Sequence, residues 1–172
     1  MNRLSKKLDE LKKQNKKALV AYLVAGDPDL DSTLDIMHMF VKSGVDVIEV
    51  GVPFTDPIAE GPIIQRAHDR AITKKTSLED IFKLITKFRL KDDETPIVLM
   101  GYLNAFIFFR HLIEENKNNA VDSILVVDIP GELNIADYGI KNENINTISL
   151  ISPTTKVDRI KSIANNSSGF IY

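Results

Sequence analysis

The chain has 172 residues, 44% apolar and 27% charged, a composition that excludes disorder, a collagen repeat and a coiled-coil rod and supplies material for one sizeable core. Its 24 acids and 22 bases leave a formal charge of -2, so no net positive field recruits nucleic acid or an anionic membrane. It has no cysteine, which removes disulfides, thiolate nucleophiles and thiolate metal sites and makes a cytosolic protein the default expectation.

Leu4, Leu8 and Leu11 recur at helical spacing, predicting an amphipathic helix over residues 3–14 with Lys6, Lys7, Lys12 and Lys13 on its wet side. No stretch approaches the roughly 20 apolar residues of a membrane span. A short apolar strand over 18–24 follows, then a turn at Gly26-Asp27-Pro28. Asp29 or Asp31 is placed to cap a helix whose buried face is Leu34, Met37, Phe40 and Val41 and whose end is marked by Gly44. The next strand, over 45–50, is apolar except at Asp46 and Glu49.

A loop rich in glycine and proline covers 51–61, and Pro62 suits the first turn of a helix running to about residue 73. Ser77 with Asp80 three places on forms a near capping box for another helix, with Leu78, Ile81, Phe82 and Ile85 at core spacing. Further strands are predicted over 97–100, 123–127 and 147–151, and a sixth begins at 169–172. Helical patterns separate them, on Phe106, Phe109, Leu112 and Ile113 in one case and over 157–164 in another, while 132–141 reads poorly because Asn134, Tyr138 and Gly139 interrupt it. Alternating strands and helices with nearly continuous apolar strands indicate parallel strands buried on both faces, in an open doubly wound sheet or part of a barrel. Functional loops are then expected at the strand C-terminal ends, where Gly26-Asp27, residues 49–60, Gly101-Tyr102-Asn104, Asp128 and residues 152–155 gather.

Glu49, inside Val-Ile-Glu-Val, is the sharpest single feature. A carboxylate there either pairs with a lysine or backbone donors, or faces a cavity in which its pKa rises toward neutrality and suits it to exchange a proton. Asp56 and Glu60 add two acids to the following loop; turn construction accounts for Asp56 more readily than for Glu60. Asp128 reads as a cap or a loop anchor. Tyr102 and Asn104 offer a hydroxyl and an amide to a ligand or to neighbouring loops, and Tyr22, Phe170 and Tyr172 line the same interior or simply pack. His38, His68 and His111 fall on predicted helices without metal-ligand spacing, and none reads as catalytic.

Ala25-Gly-Asp-Pro-Asp29, Glu49-Val-Gly-Val-Pro-Phe-Thr-Asp-Pro-Ile-Ala-Glu-Gly-Pro62 with Gln65, Met100-Gly-Tyr-Leu-Asn104, Asp128-Ile-Pro130 and Pro153-Thr-Thr155 occur in the order in which they closely resemble the tryptophan synthase alpha chain family. The resemblance implies an α/β fold, the TIM (β/α)8 barrel, with residues 1–172 as one domain truncated after about six strands. It also implies a cytoplasmic lyase of tryptophan biosynthesis that cleaves indole-3-glycerol phosphate to indole and glyceraldehyde 3-phosphate. No cofactor is implied on this chain; the partner is the pyridoxal-phosphate-dependent beta chain of an alpha–beta complex. By motif position Glu49 corresponds to the proton-transferring glutamate and Glu60 to the family's aspartate on the indole N–H. Tyr22, Tyr102, Phe170 and Tyr172 are implied at the substrate, and Pro53, Asp56 and Asn104 at the beta-chain interface.

The sequence departs from that pattern in four places. Glu60 is one methylene longer than the aspartate, Ala105 stands where a proline usually follows the asparagine, and Gly131-Glu132-Leu133 replaces a proline-associated pair of acids before a regular helix. The phosphate site is expected after Tyr172. The alternative reading is a non-catalytic chain that binds the beta chain through the loops 51–61 and 100–104.

Overall fold

In the computed structural model, which describes residues 2–172, five parallel strands form one sheet in the order β1-β2-β3-β4-β5. They are β1 (Val20–Val24), β2 (Val47–Gly51), β3 (Ile97–Gly101), β4 (Ser123–Val126) and β5 (Asn146–Ile148). The helices are α1 (Arg3–Lys13), α2 (Leu30–Lys42), α3 (Pro62–Thr73), α4 (Leu78–Arg89), α5 (Leu103–Phe108), α6 (Arg110–Glu115) and α7 (Val157–Asn166). A doubly wound sheet reverses its strand order at a switch point, whereas strictly sequential parallel neighbours joined by right-handed crossovers put the crossover helices on one face, as in a barrel. The order therefore decides between the two architectures left open by the sequence. The strand expected over 169–172 is a single parallel bridge, Ser149 to Ile171.

Register separates two apolar layers. Ile48, Val50, Ile97, Leu99, Ile124 and Val126 face outward and pack with Met37 of α2, with Leu78, Ile81, Ile85 and Phe88 of α4, and with Phe106 and Ile113 beyond β3. Val47, Val98, Leu125 and Ile148 face inward, with Leu4 of α1 buried among them. Helix α1 thus closes the inner face at the strand N-terminal ends, with Leu8 also against that cluster and its lysines outside.

Local chemistry accounts for the helix boundaries. Asp29 caps α2 by accepting the Ser32 N–H, Pro62 stands at the start of α3, and Ser77 and Asp80 form the full capping box of α4. The predicted helix after β3 is broken at Phe109 into α5 and α6. In 132–141 the structure has only a 3-10 turn, Ile135–Tyr138, ended by Gly139 at φ 80. That side is nevertheless tied down: Ile135, Ile140 and Ile145 are buried, and Glu132 pairs with Arg159 of α7.

The end of the sheet near α1 is bolted by charge. Asp122, 1% exposed, accepts Nη2 of Arg89 at 2.9 Å, Nη1 of Arg3 at 3.2 Å and the Ile97 N–H at 2.9 Å. Arg89 also donates to the carbonyls of Thr95 and Ala120, so the guanidinium and the carboxylate are both heavily satisfied. Removing the carboxylate by Asp122→Ala leaves the buried Arg89 with only the more distant Asp92, 4.0 Å away, and urea unfolding is expected to show a loss of about 3 kcal/mol. Asp122→Asn keeps an oxygen for the Ile97 amide and is expected to lose less.

Candidate active site

Midway along β2, Glu49 sits on the inward face between Tyr22 of β1 and Val98 of β3 in register, below the loops at the strand C-terminal ends. It is 1% exposed, and among the described residues no lysine or backbone donor bonds its carboxylate, which removes the pairing alternative. Burial alone pushes its pKa up to about 7. Gly51, two residues on, makes space in the same face: a Cβ there would lie 2.2 Å from the Tyr22 hydroxyl oxygen.

The loop after β2 carries Glu60 back toward the sheet. Tyr102, at the end of β3, donates its hydroxyl to Glu60 Oε2 at 2.5 Å and accepts the Ala59 N–H at 3.1 Å. Its ring stacks on Phe54 at 4.4 Å between centroids. Gln65 of α3 donates to the Glu60 carbonyl at 2.9 Å. The loop is held at both ends of its acidic residue. Burial, then the bond to Glu60, pushes the Tyr102 hydroxyl up to about 12, so it stays a donor.

Helix α3 is strapped across the C-terminal end of β1. Ala67 and Ala71 pack with Val24, with Tyr22 and Ile64 beside them, and Arg70 grips both carboxylate oxygens of Asp27 at 2.6 and 2.7 Å. This seat brings His68 inside. Its Nδ1 accepts the Phe54 N–H at 3.1 Å, and its Nε2 lies 3.5 Å from the Tyr22 hydroxyl and 3.9 Å from Glu60 Oε1. The sequence pattern alone does not mark His68 as functional. Its one signal is its place on the stripe Ile64, Ala67, His68, Ala71, a polar group on a buried helix face about two helical turns after the acidic loop.

Tyr22 and His68 link the two acids at one mouth. Tyr22 lies beside Glu49 in register, and its hydroxyl is 3.5 Å from His68 Nε2, which faces Glu60 Oε1 at 3.9 Å; burial, then the carboxylates of Glu60 and Glu49, raises that hydroxyl above its ordinary value. Tyr172, though 57% exposed, is raised chiefly by Glu49. Phe170 packs on the inner-face cluster and its ring stands 6.3 Å from that of Tyr172. Asp56 and Asn104 are exposed and Pro53 half-buried, outside this group. Asp128 serves as the loop anchor, its carboxylate accepting the Leu103 N–H at 2.8 Å. A polar cavity of about 500 Å³ lies at the opposite end of the sheet, lined by Arg3, Asp93 and Asp122, but there the carboxylates already hold Arg3.

The arrangement has a pH signature. An ordinary glutamate near 4.5 becomes one near 7 at Glu49, so unfolded and folded chains both hold the proton below about pH 4.5. Between those values the unfolded chain ionises first and the fold loses stability, by about 3 kcal/mol once pH exceeds the folded value. Glu49→Gln is therefore expected to stabilise the protein by about that amount at pH 8 and to change little at pH 4, read by urea unfolding at the two pH values.

Residues 8–172 match the family model described as tryptophan synthase alpha chain. The tryptophan synthase alpha chain of Neisseria gonorrhoeae is 46% identical over 159 residues, covering 91% of this chain and 61% of that protein. That of Nitrosomonas europaea is 42% identical over 176 residues, covering 100% of this chain and 64% of that protein. The solved tryptophan synthase subunit alpha of Legionella pneumophila superposes with a TM-score of 0.92 at 40% identity, over 100% of this chain and 67% of the other. A chain of the solved tryptophan synthase complex of Pyrococcus furiosus gives a TM-score of 0.81 at 38% identity, over 90% and 64%. The chain thus spans less than two thirds of the length of these curated relatives. With its motifs, strand order and family match in agreement, the chain belongs to the tryptophan synthase alpha chain family.

Proposed function

We propose that the protein is a lyase that cleaves indole-3-glycerol phosphate to indole and glyceraldehyde 3-phosphate. The observation that carries this reading is Glu49: a buried carboxylate with no counter-ion among the described residues, with a pKa of about 7, facing the same mouth as Glu60. The bond from indole C3 to the glycerol side chain breaks only after the ring becomes an indolenine-like tautomer, which needs a proton delivered at C3 and one removed from the ring nitrogen. Glu49, poised between its two protonation states, gives the C3 proton and takes the one on the glycerol hydroxyl. Glu60 accepts the N–H proton, with Tyr102 holding its other oxygen, and returns it to the ring nitrogen as the C3 bond breaks and its electron pair restores the aromatic ring.

Tyr22, Tyr102, Phe170 and Tyr172 supply apolar ring faces and hydroxyls to the same mouth, suited to a flat aromatic ligand with one polar edge. The partner in this reading is the beta chain, met through Pro53 and Asp56 on the loop after β2 and Asn104 in the first turn of α5. Its place is the cytoplasm, where the family's biosynthetic chemistry runs. The non-catalytic alternative gives Glu49 no use: a chain that only docks has no reason to keep a carboxyl whose burial costs stability at neutral pH.

The test is turnover by the protein as its gene encodes it, with the beta chain present. Cleavage of indole-3-glycerol phosphate is expected, and Glu49→Gln is expected to lower kcat by about 10²- to 10⁴-fold. Equal rates for the two proteins would remove the proton role of Glu49.

A further inference from the structure

Glu60 is gripped at one carboxylate oxygen and faced at the other. Oε2 accepts the Tyr102 hydroxyl, and Oε1 looks at Nε2 of His68 across 3.9 Å. His68 is 1% exposed, and its Nδ1 is already committed to the backbone N–H of Phe54 at 3.1 Å. A backbone amide offers only a proton, so Nδ1 must present a lone pair, and the neutral ring carries its hydrogen on Nε2. That hydrogen points into the space shared by Glu60 Oε1 and the Tyr22 hydroxyl, the latter 3.5 Å away. Burial holds the ring below the ordinary histidine pKa, against the upward pull of Glu60 and Asp69, so the neutral form is the one to consider near pH 7.

We propose that His68 is a positioning residue for Glu60: aimed by the Phe54 amide, its Nε2–H holds Oε1 while Tyr102 holds Oε2, fixing the carboxylate at two points. The inference rests on the acid–base reading of Glu60 given above. A glutamate has one more rotatable bond than an aspartate, and one hydrogen bond leaves its carboxylate free to swing about the oxygen that is held. A misplacement of about 1 Å at a reacting group costs on the order of 10²-fold in rate, so a second donor matters more for the longer side chain. A neutral donor is also the right kind. A cation at this distance would hold the carboxylate ionised and weaken it as a base, whereas an N–H from a neutral ring orients it and leaves it able to take a proton. The gap of 3.9 Å exceeds a hydrogen bond and closes by a small rotation of the Glu60 side chain; such contacts are commonly long in unliganded sites and tighten around substrate.

The experiment compares His68→Asn and His68→Gln, each alone and with Glu60→Asp, in the protein as its gene encodes it, with the beta chain present. Rates of indole-3-glycerol phosphate cleavage give kcat and KM. Asparagine keeps an oxygen for the Phe54 amide but places no donor at the reach of Nε2; it is expected to lower kcat about tenfold with KM within about threefold. Glutamine, whose amide nitrogen reaches the Nε2 position, is expected to restore most of the rate. In the Glu60→Asp background the shorter side chain lies beyond that donor, and His68→Asn is expected to cost about twofold or less. Equal loss in both backgrounds, or no loss in either, overturns the proposal. An unmodified protein without turnover would count against the proposed function instead, and a readout free of turnover then decides the role of His68. Ring-nitrogen NMR is expected to show the Nε2–H tautomer and an Nε2 resonance that moves on Glu60→Gln; an unmoved resonance overturns it.

Discussion

A carboxylate folded into the inward face of a parallel sheet without a counter-ion is held there against its own solvation. Among the described residues Glu49 is such a group, and the parts of the mouth follow from the need to enclose it. Its neighbours across the ladder, Tyr22 and Val98, supply bulk rather than charge, and Gly51 leaves the space into which the Tyr22 hydroxyl projects. Any lysine brought to this face would pair with the carboxylate, return its pKa to the ordinary range and end its usefulness as a proton donor. The apolar lining is therefore a chemical requirement as much as a packing one.

The enclosure is completed by a segment that a generic barrel crossover does not need. Between β2 and β3 the chain inserts α3 in addition to α4, and the two do different work. Helix α4 packs on the outer layer through Ile81, Ile85 and Phe88, as a crossover helix should. Helix α3 instead lies over the end of β1, pinned by Arg70 on Asp27 and by small residues, Ala67 and Ala71, that let it approach closely. A larger residue at either alanine would lift α3, and with it His68 and the loop that carries Glu60. The same close approach explains why Gly26, at φ 85, is required beneath it: a Cβ there would lie 2.1 Å from Thr76 Oγ1, at the turn that leaves α3.

Much of this was legible locally. The caps at Asp29 and Ser77, the proline that begins α3 and the apolar strands all declare themselves within a few residues, because capping and periodicity are short-range chemistry. Strand boundaries were less legible. Ala18, Leu19 and Val45 are apolar but precede the ladder, and Leu150 and Ile151 follow it, because pairing partners and not hydrophobicity decide where a strand begins and ends. The break at Phe109 is hidden by an apolar stripe that runs through it unchanged. In the site, Glu49 stood out because a charge within an apolar strand is conspicuous. His68 did not, since its meaning comes from the Phe54 amide and from Glu60, contacts that only the folded loop creates. Likewise Tyr102 and Glu60 are 42 residues apart, and no local pattern pairs them.

Two carboxylates in this chain are equally hidden, at 1% exposure each, and their treatment could hardly differ more. Asp122, at the end covered by α1, is met by two guanidinium groups and the backbone amides of Arg3 and Ile97, and the upward push of burial on its pKa is opposed by both guanidiniums and the Ile97 amide. Glu49, at the end where the loops converge, is met by none among the described residues, and burial acts unopposed. Desolvation is similar in kind at the two sites, so the contrast lies in the partners the fold provides. A fold that had only stability to serve would treat both as it treats Asp122, since satisfied charge costs less to bury than bare charge. The division follows the architecture of the barrel, with cohesion placed at the strand N-terminal ends and unsatisfied reactivity at the C-terminal ends. Even so well met, Asp122 keeps a raised pKa, so its partners offset the cost of burial without cancelling it, while nothing among the described residues offsets that cost at Glu49.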